Sequence, residues 1–347
     1  MWALRGWFSK MKVLSPVDKV DEVEELIEAG ADELYCGVLS QEWWQRYTIA
    51  AINRRIAKVC NFKSFDELNA CLEIAHSYHI PVCLTINEHY YTQEQYPLLL
   101  EYVAKAIDAG VDSFLISDLA LLLYLREMKV EIPIHISIGG TTFNSETAKF
   151  YQSLGASRVT LPRHITIGEA REIVTNVSNV ETCVFILNSR CPNVDGFCTF
   201  IHVQSPDPSY KNACMLPYSV ELLPSAGAEE QLCADGEKPP IAASCMRQQV
   251  WARRHMDEIP CGACSLYDFD EMGVDYVKIV GRGNQTWRKV TDIKFIRLLL
   301  RLVEDRSISR QEYRKRARAL YSHTYQRPCR TIMCYYPEVM LPERTRV

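Results

Sequence analysis

Apolar and polar residues alternate along this chain with two periods, and the two take turns. Leu98/Leu99, Tyr102/Val103 and Ala106/Ile107 recur at helical spacing, the stripe of an amphipathic helix. Ser64-Phe65-Asp66-Glu67 has the spacing of a capping box, and Leu68, Leu72 and Ala75 follow it on one face. Between such stretches lie short apolar runs of strand length. Several are introduced by the same punctuation: Ala29-Gly30-Ala31-Asp32, Ala109-Gly110-Val111-Asp112, Leu154-Gly155-Ala156-Ser157 and Met272-Gly273-Val274-Asp275. Glycine just past a helix takes the positive φ that ends it, and the short turn then feeds a buried strand.

This pattern predicts eight strands, over 12–15, 33–38, 81–86, 113–117, 133–138, 158–161, 182–187 and 276–280. Strands alternating with helices imply a parallel sheet. Eight such units predict an α/β fold, a closed (β/α)8 TIM-like barrel. An open doubly wound sheet is the alternative, but neither a glycine-rich dinucleotide fingerprint nor a phosphate loop follows the first strand. The domain reading is an N-terminal extension at 1–10, a barrel over 11–284, and a C-terminal helical tail over 285–347. The spacing breaks once, between strands seven and eight, where a cysteine-rich insertion is expected at 188–272. That gap is too long for an ordinary connection. It opens at the C-terminal end of a strand, the face where barrels carry their chemistry.

The net charge of −4 provides no global basic field, so charge alone does not predict nucleic-acid binding. For an RNA substrate a partner could supply that charge. Arg310, Arg314, Lys315, Arg316 and Arg318 form a local basic stretch, read as a solvated helix face with an RNA-contacting patch as the sharper alternative. No apolar run reaches the roughly 20 residues of a membrane span. The first ten residues hold no signal-peptide stretch. A cytoplasmic protein without a membrane span is expected.

Fourteen cysteines are many for such a protein, and ten of them lie after residue 180. In a reducing compartment, clustered cysteines point to metal or catalysis. Seven fall in the long gap: Cys191, Cys198, Cys214, Cys233, Cys245, Cys261 and Cys264. The central segment is Cys191-Pro192-Asn193-Val194-Asp195-Gly196-Phe197-Cys198, with Cys214 after it and Pro260-Cys261-Gly262-Ala263-Cys264 later. Four thiolates suit an iron–sulfur cluster. They also suit structural zinc, although only Cys261/Cys264 has the zinc-knuckle spacing. Buried cysteines without a ligand role are the third reading.

These residues carry a resemblance. From Lys12 to about Arg282 the chain resembles the collagenase-like peptidase family, peptidase family U32. Leu14-Ser15-Pro16 and the run from Glu28 to Gly37 look like that family's opening strand–helix–strand. Asn61-Phe62, Leu84-Thr85-Ile86-Asn87 and Leu161-Pro162-Arg163 look like its internal landmarks. Phe185, Cys191, Gly196 and Cys198 match its cysteine signature, and Lys278-Ile279-Val280-Gly281-Arg282 matches a later landmark. The chain departs from the pattern in three places. Asn188 stands where the family has glycine, and Cys183 and Val280 stand where it has acidic residues.

The resemblance implies an iron–sulfur enzyme performing oxygen-independent hydroxylation on ubiquinone precursors or RNA bases. A [4Fe–4S] cluster would be held by Cys191, Cys198, Cys214 and Cys261. A prephenate-like small molecule would be the oxygen donor, and a protein partner of the same family is an implied associate. Cys261 is preferred to Cys264 because its distance to Gly273 and Lys278 matches the family. Cys264, Cys245, Cys329 and Cys334 lie outside that pattern; Cys329 and Cys334, close together near the end, suit a second metal site or a redox pair, with buried structural cysteines the default reading.

Arg163, Asn87, Lys278 and Arg282 end or flank strands, where they would bind substrate; cations there suit a carboxylate. His135 and Ser137 share one face of the fifth strand, with a core histidine the blander reading. Glu88, His89, Asn144 and His164 also sit near strand ends. The rivals to a hydroxylase are a peptidase with a cysteine nucleophile and a distant histidine, and a non-catalytic partner subunit. Neither a serine nucleophile elbow nor a zinc-protease helix motif is present.

Overall fold

The fold is described from a computed structural model, over residues 11–47, 52–55, 58–188, 191, 194–198 and 259–340. Eight parallel strands close on one another in chain order. They are β1 Lys12–Pro16, β2 Glu33–Cys36, β3 Val82–Ile86, β4 Ser113–Ile116, β5 Ile134–Ile136, β6 Arg158–Thr160, β7 Glu181–Leu187 and β8 Tyr276–Ile279. No strand end departs from the sequence-based expectation by more than two residues. The closed barrel replaces the open-sheet alternative, since β8 pairs back onto β1 through Lys12, Val13 and Leu14.

Helices surround the strands: α1 Val23–Glu28, α2 Gln41–Arg46, α3 Phe65–Ser77, α4 Tyr96–Ala109, α5 Leu119–Glu127, α6 Ser145–Ser153, α7 Ile167–Asn176, α8 Leu266–Met272, α9 Thr286–Glu304 and α10 Arg310–Tyr325. Their glycine ends behave as expected, with φ of +86° at Gly110 and +85° at Gly273. The capping box at α3 forms by half. Ser64 Oγ accepts from Glu67 N, but the Glu67 carboxylate turns to Lys63 N. The full box is at α7, between Thr166 and Glu169.

Two boundaries shift. α8, at the end of the expected insertion, packs on α7 and belongs to the ring of helices. α9, expected to open a tail, packs on β1 and α1 and is the ring's eighth helix. Its Lys289 is buried and bonds Asp18 Oδ2 at 2.7 Å and Glu22 Oε1 at 2.6 Å, locking it to the turn after β1. The expected extension at 1–10 lies outside the described residues. No described helix is long and apolar enough to cross a membrane.

The barrel interior is plugged at its N-terminal end by charge. Glu33 of β2 faces Arg158 of β6 across the barrel in a bidentate pair, at 2.8 and 2.9 Å, and both are buried. The Arg158 guanidinium lies 3.4 Å from the Tyr276 ring centroid. Above this plug sit Leu14, Tyr35, Cys83, Leu115 and Cys183. The open end of the barrel is therefore the C-terminal one.

Candidate functional site at the barrel mouth

The first described piece of the long loop after β7 turns back across the mouth. Its turn begins at Asn188, which has φ +64°. Glycine and asparagine are the residues that tolerate this left-handed region, so asparagine in place of the family's glycine preserves the backbone. Asn188 is also bound on both sides, donating to Val280 O at 2.8 Å and to Asp292 Oδ2 at 2.7 Å.

The segment Val194–Cys198 is fastened by Asp195. This carboxylate accepts from Arg163 N, Nε and Nη2 at 2.7, 3.1 and 2.6 Å. Burial pushes the Asp195 carboxyl up, but the Arg163 guanidinium outweighs it and holds it below the ordinary range. Gly196 has φ +88°, and a Cβ there would meet Thr141 Cγ2 at 2.4 Å. The loop thus lies directly on the turn after β5. Phe197 packs on Phe143, and Phe143 on His164.

This path delivers Cys198 to the end of β3. Its Sγ is 3.5 Å from His89 Nε2 and 3.9 Å from Arg54 Nη2. His89 Nδ1 in turn lies 2.9 Å from Glu88 Oε1. Cys198, His89 and Glu88 therefore stand in line. The sequence named each of them but offered no sign that they meet. Arg54 had no signal at all, and Asp195 was visible only as a lone charge between two cysteines.

The expected substrate-binding residues surround the same mouth. Asn87 donates to Ser137 Oγ at 2.9 Å, and its Oδ1 is buried without a hydrogen-bond partner. Arg282 is buried, donating to Thr85 Oγ1 and Asn53 O at 3.0 and 2.7 Å. Arg163 is occupied by Asp195, so it acts as a strut for the loop. Lys278 lies deeper, its amine 4.1 Å from the Tyr35 ring centroid. Burial pushes its pKa down to about 8, against the opposing pull of Cys183 and Cys83. Glu33 on the barrel floor adds a further, weaker pull in the same direction. Cations dominate the mouth. Burial and the neighbouring Arg282 push the Arg55 pKa down to about 10.

Other expectations resolve into structure. His135 is a core histidine, with Nδ1 3.7 Å from Cys83 Sγ, and burial holds its pKa well below the ordinary value. Asn144 caps α6. The basic stretch on α10 is largely paired, Arg310 and Arg314 with Asp268 and Arg316 with Glu312.

The proposed thiolate set divides. Cys191 and Cys198 are half-buried in the loop at the mouth. Cys214 lies outside the described residues. Cys261 is buried behind β7, where Pro260–Gly262 adds an antiparallel edge to the strand's end. Among the described residues the group whose ligand atoms lie within 4.8 Å of one another is Glu33, Cys83 and His135, on the barrel floor; no three cysteine sulfurs do. A cubane cluster asks less, because each thiolate binds a different iron and the sulfurs stand farther apart. The cationic mouth, with Arg54 beside Cys198, suits such an anionic group. A hollow of about 420 Å³ adjoins it at the ends of β7 and β8, lined in part by Asn188, Asn284, Trp287 and Arg288. The Trp287 ring is exposed.

The chain matches the family described as peptidase family U32 over residues 18–338. It is 25% identical over 216 residues to tRNA hydroxylation protein P of Escherichia coli, covering 61% of this chain and 45% of that protein. It is 24% identical over 213 residues to a collagenase of Porphyromonas gingivalis, covering 58% of this chain and 48% of the relative. A 23S rRNA 5-hydroxycytidine synthase of Escherichia coli is 23% identical over 219 residues, covering 61% and 30%. The matched region spans about half the length of the first relatives or less.

Proposed function

Starting from the fact that this chain belongs to peptidase family U32, we propose that it is an iron–sulfur enzyme of the oxygen-independent hydroxylation type, acting on a nucleobase of RNA. The observation that carries the reading is the Asp195–Arg163 tether, which lays the loop bearing Cys191 and Cys198 across a cationic barrel mouth. Cys191, Cys198, Cys214 and Cys261 are the thiolates of the cluster in this reading. Cys261, buried at the end of β7, stands at the family's fourth position. Redox chemistry without molecular oxygen is what a [4Fe–4S] cluster held there would supply. Asn87 Oδ1 and the Arg282 side of the mouth orient the donor. The exposed ring of Trp287 offers a stacking platform for a base, and relatives that modify tRNA and rRNA support that substrate class.

The test is purification without oxygen, followed by iron and sulfide analysis and absorption spectroscopy, with nucleoside mass spectrometry of RNA from a deletion strain. Iron and sulfide that vanish in Cys191→Ser and Cys198→Ser, together with a missing hydroxylated nucleoside, support the reading. A colourless protein with neither sinks it.

One observation favours a second reading. Cys198, His89 and Glu88 have the order of a thiol-hydrolase triad, a nucleophile beside a base that a third group orients. Peptide hydrolysis lost in both Cys198→Ala and His89→Gln, and independent of iron, would establish it.

A further inference from the structure

Four consecutive carbonyls in the loop after β2 are each held by a side chain. Ile52 O accepts from Tyr91 Oη at 2.6 Å, and Asn53 O from Arg282 Nη2 at 2.7 Å. Arg54 O accepts from Arg55 Nη1 at 2.8 Å, and Arg55 O from Asn61 Nδ2 at 2.7 Å. Asn53 Nδ2 adds a bond to Asn61 Oδ1 at 2.8 Å. The stretch belongs to no strand or helix, so side chains satisfy a backbone that Ile52 and Asn53 carry into the interior. The end of β2 makes room for this strap. A Cβ on Gly37 would collide with Asn53 Nδ2, Arg282 Nη1 and Asn61 Oδ1.

What the strap presents is Arg54. Its φ of +59° lies in the left-handed region, which is unfavourable for arginine. Such strain persists where the surroundings over-determine it, and here the carbonyl bonds on both sides do so. The guanidinium reaches two other loops. Nη2 is 3.9 Å from Cys198 Sγ, and a Cβ on Gly139, in the turn after β5, would lie 3.6 Å from Nη1. Among the described residues no carboxylate lies within ion-pair distance of Arg54. Asp195, the acid of the same loop as Cys198, is taken by Arg163.

The geometry points to Arg54 as a positioning residue that pairs its charge with the Cys198 thiolate of the cluster, with Arg282 and Asn61 acting through it by holding the strap. This rests on the cluster reading above and gives Arg282 a second task. Two of its donors are committed to the strap and to Thr85 Oγ1. A cation beside a ligating sulfur offsets the negative charge that a cluster gains on reduction, so it raises the reduction potential. In the metal-free chain the same cation favours the thiolate, the form that ligates and reacts. His89 Nε2 also lies beside Sγ, at 3.5 Å, but an imidazole carries no fixed charge, whereas a guanidinium is charged at any working pH.

The experiment compares the wild-type chain with Arg54→Met, Arg54→Lys and Asn61→Ala, all purified without oxygen. Two quantities are read. One is the midpoint potential of the cluster, from a redox titration followed by electron paramagnetic resonance. The other is the rate at which Cys198 of the metal-free chain reacts with iodoacetamide at neutral pH, followed by peptide mass. Arg54→Met should move the potential to more negative values and slow the alkylation several-fold. Arg54→Lys, which keeps the charge, should recover most of both. Asn61→Ala, which releases Arg55 O and Asn53 Nδ2, should shift both in the direction of Arg54→Met, by less. A potential or a rate equal to wild type in Arg54→Met overturns the proposal. So does Arg54→Lys behaving like Arg54→Met, the signature of packing without charge. If Arg54→Met holds no cluster, the alkylation rates decide alone. A wild-type chain without iron counts against the hydroxylase reading itself, and the rates then show separately whether Arg54 pairs with Cys198.

Discussion

Asp195 grips Arg163 at three points, one main-chain and two guanidinium nitrogens, so a loop residue is clamped to the end of β6. Charge-assisted bidentate pairs of this kind fix geometry as well as energy. Asp195→Asn leaves the buried guanidinium without its counter-charge, a loss of roughly 3–5 kcal/mol for a broken buried pair. The expected outcome is a loop that proteases cut between 188 and 199, with reduced iron. The folded carboxyl titrates below its ordinary value of 3.8, so its contribution is full above that pH and is lost as pH falls through the lower folded value. Limited proteolysis at neutral pH and in acid checks both statements.

Gly196 tests the same loop sterically. Alanine there is strained by φ +88° and brings its Cβ to 2.4 Å from Thr141 Cγ2 and 3.1 Å from Ile138 O. Gly196→Ala should therefore lift the loop and cut iron content several-fold, while the barrel's unfolding midpoint stays nearly unchanged. An iron content equal to wild type would show that the loop's seat does not matter to the cluster.

Lys278 should be a costly residue for stability. Its pKa falls from 10.5 to about 8. At 1.36 kcal/mol per unit this is about 3 kcal/mol of charge burial at neutral pH. Below pH 8 the amine is charged folded and unfolded, and the whole cost is present. Between 8 and 10.5 only the unfolded chain holds the proton, so stability rises with pH. Lys278→Met should thus be more stable than wild type at pH 7 and lose that advantage toward pH 10.5, while activity disappears. Urea denaturation at both pH values measures it.

The Glu33–Arg158 pair should be strongly non-additive. Arg158→Met leaves Glu33 buried without its partner, at roughly 3–5 kcal/mol, and Glu33→Gln costs less because Arg158 keeps Glu181 Oε2 at 2.9 Å. The double variant should cost much less than the sum. A double-mutant cycle by chemical denaturation reads the coupling; additive costs would mean the two charges do not depend on each other.

Much of this protein was legible from its residues because the governing signals are local. Helix ends at Gly110 and Gly273 and apolar runs such as Val82–Ile86 are set by φ preferences and by burial over a few residues, so the strands fell where expected. The strand-end positions of Asn87, Arg163, Lys278 and Arg282 followed from the same pattern. What those side chains touch did not. Arg163 reads as a free anion clamp until the loop brings Asp195 to it, 32 residues away.

The sequence by itself determined a barrel, its open face and a cysteine-rich loop over that face, since period, punctuation and composition are properties of short segments. Only the tertiary structure decided the pairings that closure creates. It set Glu33 against Arg158, lined up Cys198 with His89 and Glu88, and paired Cys261 with Cys334. Such contacts join residues far apart in the chain through the curvature of a closed sheet, and no local preference encodes that distance.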